Sequence, residues 1–410
     1  MDPNVEVPSY FRCPISMELM RDPVTVSTGM TYDRESIEHW IYTCNKRTCP
    51  ATMQELQNLD MIPNHTLRRL IQGWCVANGS KGVDQIPTPR PPIDSLQVTD
   101  LLQKAARSKP FQAINALKKL QSLARENERN KRCIVAARPW PILISLLDDF
   151  YLESREEIEN ENSKICEEAL GILYLLPVTL EMARLVLDPM TMKSLGLILQ
   201  RGNGQARLHA VKLLQNVATQ RVDWEIIVRQ NIDVLHRLVE ILRDELCHQA
   251  TMAALDVVKA MCSESRRNKL KAVESGLVFV LIELLPEAEG RKAEKILDLL
   301  DKLLACAEGR AAMNDHAMGI AAVSKKIMRV SESGTRKAVR ILWLVSSFWS
   351  STSLVRDMIQ FGGVSKLCMV LQMDGAVKTK QKAKEVLKLH AKSWCNSPCF
   401  PLHLREYISM

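Results

Sequence analysis

From about residue 95 onward the chain repeats one spacing of apolar positions: an alanine, then apolar residues three, four and seven places later. The spacing occurs at Ala113 (Ala116, Leu117, Leu120), Ala169 (Ile172, Leu173, Leu176), Ala210 (Leu213, Leu214, Val217) and Ala254 (Val257, Val258, Met261). It returns at Ala293 (Ile296, Leu297, Leu300), Ala338 (Ile341, Leu342, Val345) and Ala383 (Val386, Leu387, His390). Such a spacing lays four side chains along one stripe of a helix, so it predicts seven amphipathic helices of one design. Upstream of most of them lies a second apolar helix, as in 233–242, 277–285 and 364–371, two of these preceded by Gly276 or by Gly362-Gly363.

Successive alanines are 56, 41, 44, 39, 45 and 45 residues apart. All but the first interval match the period of armadillo or HEAT solenoids, in which each unit leaves an apolar face bare until its neighbour covers it. The order of glycine turn, helix and longer helix resembles the armadillo repeat. His390 in the last copy is the flaw expected of a capping unit. The long first interval holds an acidic insertion, 148–164, read as a protruding or disordered loop.

Up to about Trp74 the pattern is irregular, with turn residues at Cys13-Pro14, Asp22-Pro23, Thr28-Gly29, Cys49-Pro50 and Pro63-Asn64. Val24 and Val26 alternate like a short strand, and 33–43 reads as a helix with Ile37, Trp40 and Ile41 on one face. A second helix is predicted to start at the capping residue Asn64 and to run through Leu67, Leu70, Ile71 and Trp74. The expected organisation is a small α+β domain over 1–78, a Pro/Gly-rich linker over 79–95 that acts as a semi-rigid spacer, and a mainly α solenoid of about seven repeats over 96–410.

With 410 residues and 46% hydrophobic content, the chain exceeds one ordinary core. The N-terminal MDPNVEVPSY lacks the features of a signal peptide and the longest apolar stretch, 276–285, is too short for a bilayer, so cytosol or nucleus is the expected compartment. The 12 cysteines are scattered, which favours buried free thiols over a disulfide framework. Residues 1–75 carry 7 Lys/Arg against 9 Asp/Glu, and the rest 48 against 38, so the head is −2 and the body +10. A basic body suits an acidic partner or is simply a solvated helical surface. Nucleic acid is disfavoured, because interleaved aromatics and zinc-finger spacings are lacking.

Residues 8–75 closely resemble the U-box of plant U-box/armadillo ubiquitin ligases. The matching text is Pro8-Ser-Tyr-Phe11-Arg-Cys13-Pro14-Ile15-Ser16, Asp22-Pro23-Val24, Thr28-Gly29-Met-Thr31-Tyr32-Asp33-Arg34, Ser36-Ile37-Glu38, Cys49-Pro50 and Ile62-Pro63-Asn64-His65-Thr66-Leu67-Arg68. The Ile86-Pro87-Thr88-Pro89-Arg90-Pro91-Pro92 segment resembles the short-chain subgroup linked to immune and water-stress signalling. The resemblance implies a RING-like fold without zinc, and a count agrees. Two tetrahedral zinc sites need four ligands each, whereas 1–75 offers Cys13, Cys44, Cys49, Cys75, His39 and His65 and no C-x-x-C pair. No metal or cofactor is expected. A small core of Val24, Val26, Tyr32, Ile37, Leu56, Ile62 and Leu70 would hold the domain. Ser16, Glu18, Asp22, Asp33 and Glu35 would supply a polar network in place of metal, or else ordinary surface salt bridges.

The implied activity needs no nucleophile in this chain, because the thioester cysteine belongs to a ubiquitin-conjugating enzyme that the U-box docks and orients. Cys13, Pro14, Ile15 and Met17 in the first loop, Trp40 on the helix and Pro50 in the second loop match the family's conjugating-enzyme contacts, although Trp40 would equally suit a core. Met53 stands where many related domains carry a basic or amide donor, and a thioether cannot donate; Gln54 is the nearest substitute. Cys166, Cys262 and Cys306 read as packing residues of the array. Its candidate substrate groove is Lys212, Asn216, Lys259, Arg336, Arg340, Trp343, Lys380 and Lys384, off the apolar stripe and suited to an acidic or phosphorylated protein segment, or merely solvated, with Trp343 alternatively packing between repeats. The competing reading is a non-catalytic armadillo adaptor whose head forms a homodimer.

Overall fold

A computed structural model describes residues 7–44, 46–86, 93–153, 161–220, 222, 224, 233–348 and 352–394. These fall into two compact units, one drawn from Met1–Asp100 and Ser122–Ala137, the other from Leu101–Gln121 and Arg138–Met410.

In the first unit, β1 (Pro23–Thr25) is the centre of a three-stranded antiparallel sheet, flanked by β2 (Thr31–Asp33) and β3 (Ile62–Pro63). Gly29, at φ +79°, makes the turn between β1 and β2, a conformation that a side chain would oppose. Helix α1 (Arg34–Glu38) leaves β2 directly and widens into a π-helical turn, His39–Thr43, in which the Cys44 amide donates to the His39 carbonyl (3.0 Å). The single helix expected over 33–43 is therefore two kinds of helix. Helix α2 (His65–Ala77) begins where predicted: Asn64 Oδ1 accepts from the Leu67 amide at 3.0 Å.

The core of this unit corrects the expected one. Val24, Val26, Tyr32, Ile37 and Leu56 are buried, but Ile62 is 68% exposed and Leu70 56%. Ile62 lies on the edge strand β3, and Leu70 lies on the outer side of α2, whose inner side is supplied by Ile71 and Cys75. Phe11, Cys13, Met20, Ile41, Cys49 and Val83 complete the cluster.

The remaining helices follow in chain order. Helices α3 (Ser95–Arg107) and α4 (Pro110–Glu126) come first, then α5 (Glu128–Ala136), α6 (Trp140–Glu153) and α7 (Glu161–Leu173). The next triplet is α8 (Leu180–Val186), α9 (Pro189–Arg201) and α10 (Gly204–Ala218), followed by α11 (Val234–Asp244) and α12 (His248–Glu264). Two more triplets are α13 (Arg266–Glu274), α14 (Leu277–Leu284), α15 (Gly290–Leu303) and α16 (Ala307–Asp315), α17 (Gly319–Lys326), α18 (Glu332–Phe348). The last contains α19 (Thr352–Gln360), α20 (Gly363–Gln372), α21 (Val377–Leu389) and a short closing helix, α22 (Ala391–Trp394).

Helices α4, α7, α10, α12, α15, α18 and α21 carry the seven repeated apolar stripes, and every stripe alanine is buried. In the second unit, stripe helices pack on the next of their kind, as α10 on α12 and α18 on α21. Gly276 (φ +79°) and Gly362 (φ +71°) make the left-handed corner between first and second helices, where Arg138 (φ +49°) does the same without being glycine. His390 is not a bare flaw in the last copy: it is buried beneath the Trp394 ring (5.2 Å, edge-to-face), whose indole donates to the Leu387 carbonyl (3.0 Å). Residues 148–153 of the expected acidic loop belong to α6 and 161–164 to α7; the rest of that insertion and linker residues 87–92 lie outside the described residues.

Candidate functional site

Two loops of the first unit share one backbone design. In the first, the Cys13 amide donates to the Glu18 carbonyl and the Met17 amide to the Cys13 carbonyl, both at 2.8 Å. In the second, the Cys49 amide donates to the Gln54 carbonyl and the Met53 amide to the Cys49 carbonyl, again both at 2.8 Å. Each loop is closed by a single bridge, Arg12 to Leu19 and Thr48 to Glu55. Each also turns on a left-handed methionine, Met17 at φ +60° and Met53 at φ +58°, which is 67% and 68% exposed respectively. The signal was in the sequence as CPISMEL at 13–19 and CPATMQE at 49–55, a near-repeat that composition and turn residues alone do not reveal.

Adjacent residues of β2 hold the two loops. The Asp33 amide donates to Cys13 Sγ (3.3 Å), while Tyr32 Oη lies 2.9 Å from Cys49 Sγ and accepts from the Ala51 amide (3.0 Å). Thr28 Oγ1 also donates to Cys49 Sγ (3.2 Å). Burial pushes the Cys49 thiol up, but hydrogen bonds from Thr28, Thr52 and Tyr32 outweigh it and bring the thiol down to about 6. Burial raises the Tyr32 hydroxyl, reinforced by its bond to Cys49.

Asp22 and Asp33 are the sequence-predicted carboxylates that the fold brings together. Asp33 Oδ1 accepts from the Arg21 (2.7 Å) and Asp22 (2.8 Å) amides, and Arg34 Nε donates to Asp22 Oδ2 at 2.6 Å. Burial pushes the Asp33 carboxyl above the usual carboxylate range, against the pull of those two amides. Ser16 makes only a local bond, accepting from the Glu18 amide (3.4 Å), and the side chains of Glu18 and Glu35 face solvent.

Of the expected docking residues, Cys13 is buried, Ile15, Trp40 and Pro50 are half-buried, and Pro14 and Met17 are exposed. Trp40 sits in the π-helical turn, where its Nε1 donates to the Thr48 carbonyl (2.8 Å) and the Lys46 ammonium lies over its ring (4.1 Å). The indole thus spans from the helix to the residue preceding Cys49-Pro50. It neither sinks into the core nor stands free, but packs partly against the core as Ile15 does.

In the second unit most of the expected groove residues lie on a lattice of polar pairs between consecutive stripe helices. Lys259 and Lys337 both bind Asp298 (2.8 and 2.7 Å), Arg340 binds Asp301 (2.9 Å), Lys212 donates to Gln249 (2.7 Å), and Trp343 Nε1 donates to Glu385 (2.6 Å). Gln215 and Lys295 converge on Asp256, and Asn216 donates to the Tyr174 carbonyl (3.2 Å). Arg336 makes a local bond to Ser333, and Lys380 and Lys384 lie on α21. Cys166, Cys262 and Cys306 are buried, and burial raises the first two thiols, Cys262 to about 12. Among the described residues no group of three or more His, Cys, Asp or Glu is placed to hold a metal, and no helix is long and apolar enough to cross a membrane.

Comparison with known proteins places these two regions separately. The U-box domain matches residues 7–80, and the plant U-box protein ARM repeat region matches 97–406. E3 ubiquitin-protein ligase PUB23 of Arabidopsis thaliana is 42% identical over 98% of this chain and 97% of its own length. PUB22 of the same plant, also described as an E3 ubiquitin-protein ligase, is 39% identical over 99% of each chain, and U-box domain-containing protein 75 of Oryza sativa subsp. japonica is 30% identical over 96% and 84%. Among solved structures, one from work on the interaction between cadherin and beta-catenin has a TM-score of 0.58 at 15% identity, covering 86% of this chain and 60% of that one. An engineered protein reaches 0.50 at 16%, covering 82% and 86%. At such identities these two show the fold alone.

Proposed function

Because the chain belongs to the plant U-box proteins with an armadillo repeat region, we propose that it is a RING-type ubiquitin ligase that works without a thioester cysteine of its own. The paired Cys-Pro loops carry this reading. Tyr32 and Asp33 fix both loops to one strand, and Trp40 bridges from the helix to the second, so Ile15, Met17, Trp40 and Pro50 are held in set positions for a ubiquitin-charged conjugating enzyme. Docking of that kind accelerates transfer through proximity and orientation, with the substrate lysine as nucleophile. An aromatic anchor with small apolar neighbours suits a modest, exchangeable interface.

The array holds the protein substrate. An acidic or phosphorylated segment would engage it by exchanging the lattice's internal partners for its own, with Arg336, Arg340, Trp343, Asn216 and Lys384 as candidate contacts. The linker resemblance supports a place in stress or immune signalling, in cytosol or nucleus. The alternative, an adaptor using its head only to dimerise, makes an opposite prediction. Purified full-length protein with ubiquitin, activating enzyme and a panel of conjugating enzymes should form chains, and Ile15→Ala should lower the rate by about tenfold or more, as expected for an interface hot spot. Absence of chains with every conjugating enzyme would favour the adaptor.

A further inference from the structure

Helix α5 opens like α13. Asn127 caps it by accepting from the Asn130 amide (2.7 Å), as Ser265 caps α13 by accepting from the Asn268 amide (3.3 Å), and the text runs Asn130-Lys131-Arg132 against Asn268-Lys269-Leu270. Asn130 and Asn268 are both buried. Asn130 then ties α5 to the chain emerging from the linker, accepting from the Ile93 amide at 3.2 Å. The divergence comes at the third position, where α13 has an apolar residue and α5 has arginine. Repeat packing does not call for that arginine.

Its contacts explain it. Arg132 Nη2 lies 3.3 Å from Glu38 Oε1, and the guanidinium stacks over the Tyr42 ring, 4.0 Å from the centroid. Glu38 is 3% exposed, while the Arg132 side chain remains 47% exposed. Beside this contact is an open cleft of about 420 Å³, whose walls include Arg34, Met61, Arg129 and Ala136. The grip is therefore made at the edge of open space rather than inside a packed seam. Burial pushes the Glu38 carboxyl above the usual range, and Arg132 is the strongest influence opposing it.

Glu38 and Tyr42 flank Trp40 by two residues on either side, and residues so spaced do not share a face of a helix with the one between them. We propose that Arg132 is a positioning residue for conjugating-enzyme docking: from α5 it clasps the π-helical turn behind Trp40 and fixes the direction in which the indole is presented. A π-turn is a rare interruption of an α-helix, frequent at functional sites, and this one carries the anchor residue, so an external brace has something to hold. The inference rests on the docking role of Trp40 proposed above. It adds that a helix inside the segment matching the armadillo region tunes the docking site, and that the docking strength of the head depends on residues beyond 80.

The test uses the full chain and whichever conjugating enzyme supports its self-ubiquitination, with Kd measured for that enzyme carrying a stably linked ubiquitin and KM and kcat for its thioester-charged form, for Trp40→Ala, Arg132→Ala, Glu38→Gln and the double variant. Arg132→Ala is expected to weaken binding and raise KM about fivefold, at the low end of measured site-to-site coupling, with kcat and the unfolding profile little changed. Glu38→Gln should match it and the double variant should add nothing. Wild-type binding by a folded Arg132→Ala overturns the proposal, as does additive loss in the double variant. Should Arg132→Ala unfold, Glu38→Gln, which keeps the shape of the side chain, decides by the same readout; unfolding of both makes the clasp structural only and also overturns it. Unaltered binding by Trp40→Ala would instead overturn the docking reading.

Discussion

The two units solve the same problem, holding a surface steady for a partner, with different materials. In the repeat unit the steady element is a buried stripe used seven times, and the polar lattice lies outside it, each pair joining one stripe helix to the next. In the head the steady elements are single-use: one tyrosine, two thiols, one aspartate and one indole, each joining segments 8 to 20 residues apart. The array should therefore yield locally and by degrees when damaged, whereas the head should lose its site as a whole.

Leu297→Ala is the strongest way to break that contrast. Leu297 is buried in the stripe of α15, and truncation should cost about 2–5 kcal/mol. Denaturant unfolding should show the loss, while binding of a conjugating enzyme stays intact; loss of binding would refute separate responses. Tyr32→Phe comes next. It removes the hydroxyl that serves Cys49 and the Ala51 amide, which should cost about 1–3 kcal/mol and reduce chain formation. An unchanged rate at unchanged stability would show that the second loop holds itself.

Asp298→Asn should cost about 1 kcal/mol, since its pairs are only partly buried. Burial raises the Asp298 carboxyl, but the two lysine bonds outweigh this and leave it below its ordinary value. Its folded pKa being depressed, its contribution is in place above the ordinary carboxylate pKa and fades as pH falls through the lowered one. Wild type and Asp298→Asn should therefore converge in stability as the solution is acidified below the usual carboxylate range; a constant gap would count against the lattice. Arg138→Gly is the smallest and has the opposite sign. It relieves a left-handed side-chain-bearing residue (φ +49°) at the cost of an exposed pair with Glu181, for a net gain of about 0.5 kcal/mol readable as a higher Tm.

The same contrast explains what the sequence disclosed. The seven stripes were legible because burial recurs at fixed spacing, and Asn64 because a cap is a local signal. Ile62 and Leu70 were misplaced because apolar character does not say which side of an edge strand or short helix meets the core. The hydroxyl-to-thiol and amide-to-thiol bonds of the loops join residues 17 and 20 positions apart, a link without a periodic signature. The lattice was half visible: Lys259, Arg340 and Trp343 stand out as groove candidates, but their partners, Asp298, Asp301 and Glu385, could be matched to them only once the helices were stacked, and Lys295 and Lys337 did not stand out at all.

Trp394 has a bearing beyond its own helix. It is fully buried, packs edge-to-face on His390 of the last stripe and satisfies the Leu387 carbonyl, so Trp394→Ala would uncover part of an apolar surface like the one every repeat offers its successor. Two such surfaces would meet as an isologous pair, which closes on itself, and the variant's scattering should rise with concentration to a plateau where the parent's stays flat. A single indole would then decide whether that apolar surface is spent inside the chain or offered to a second copy.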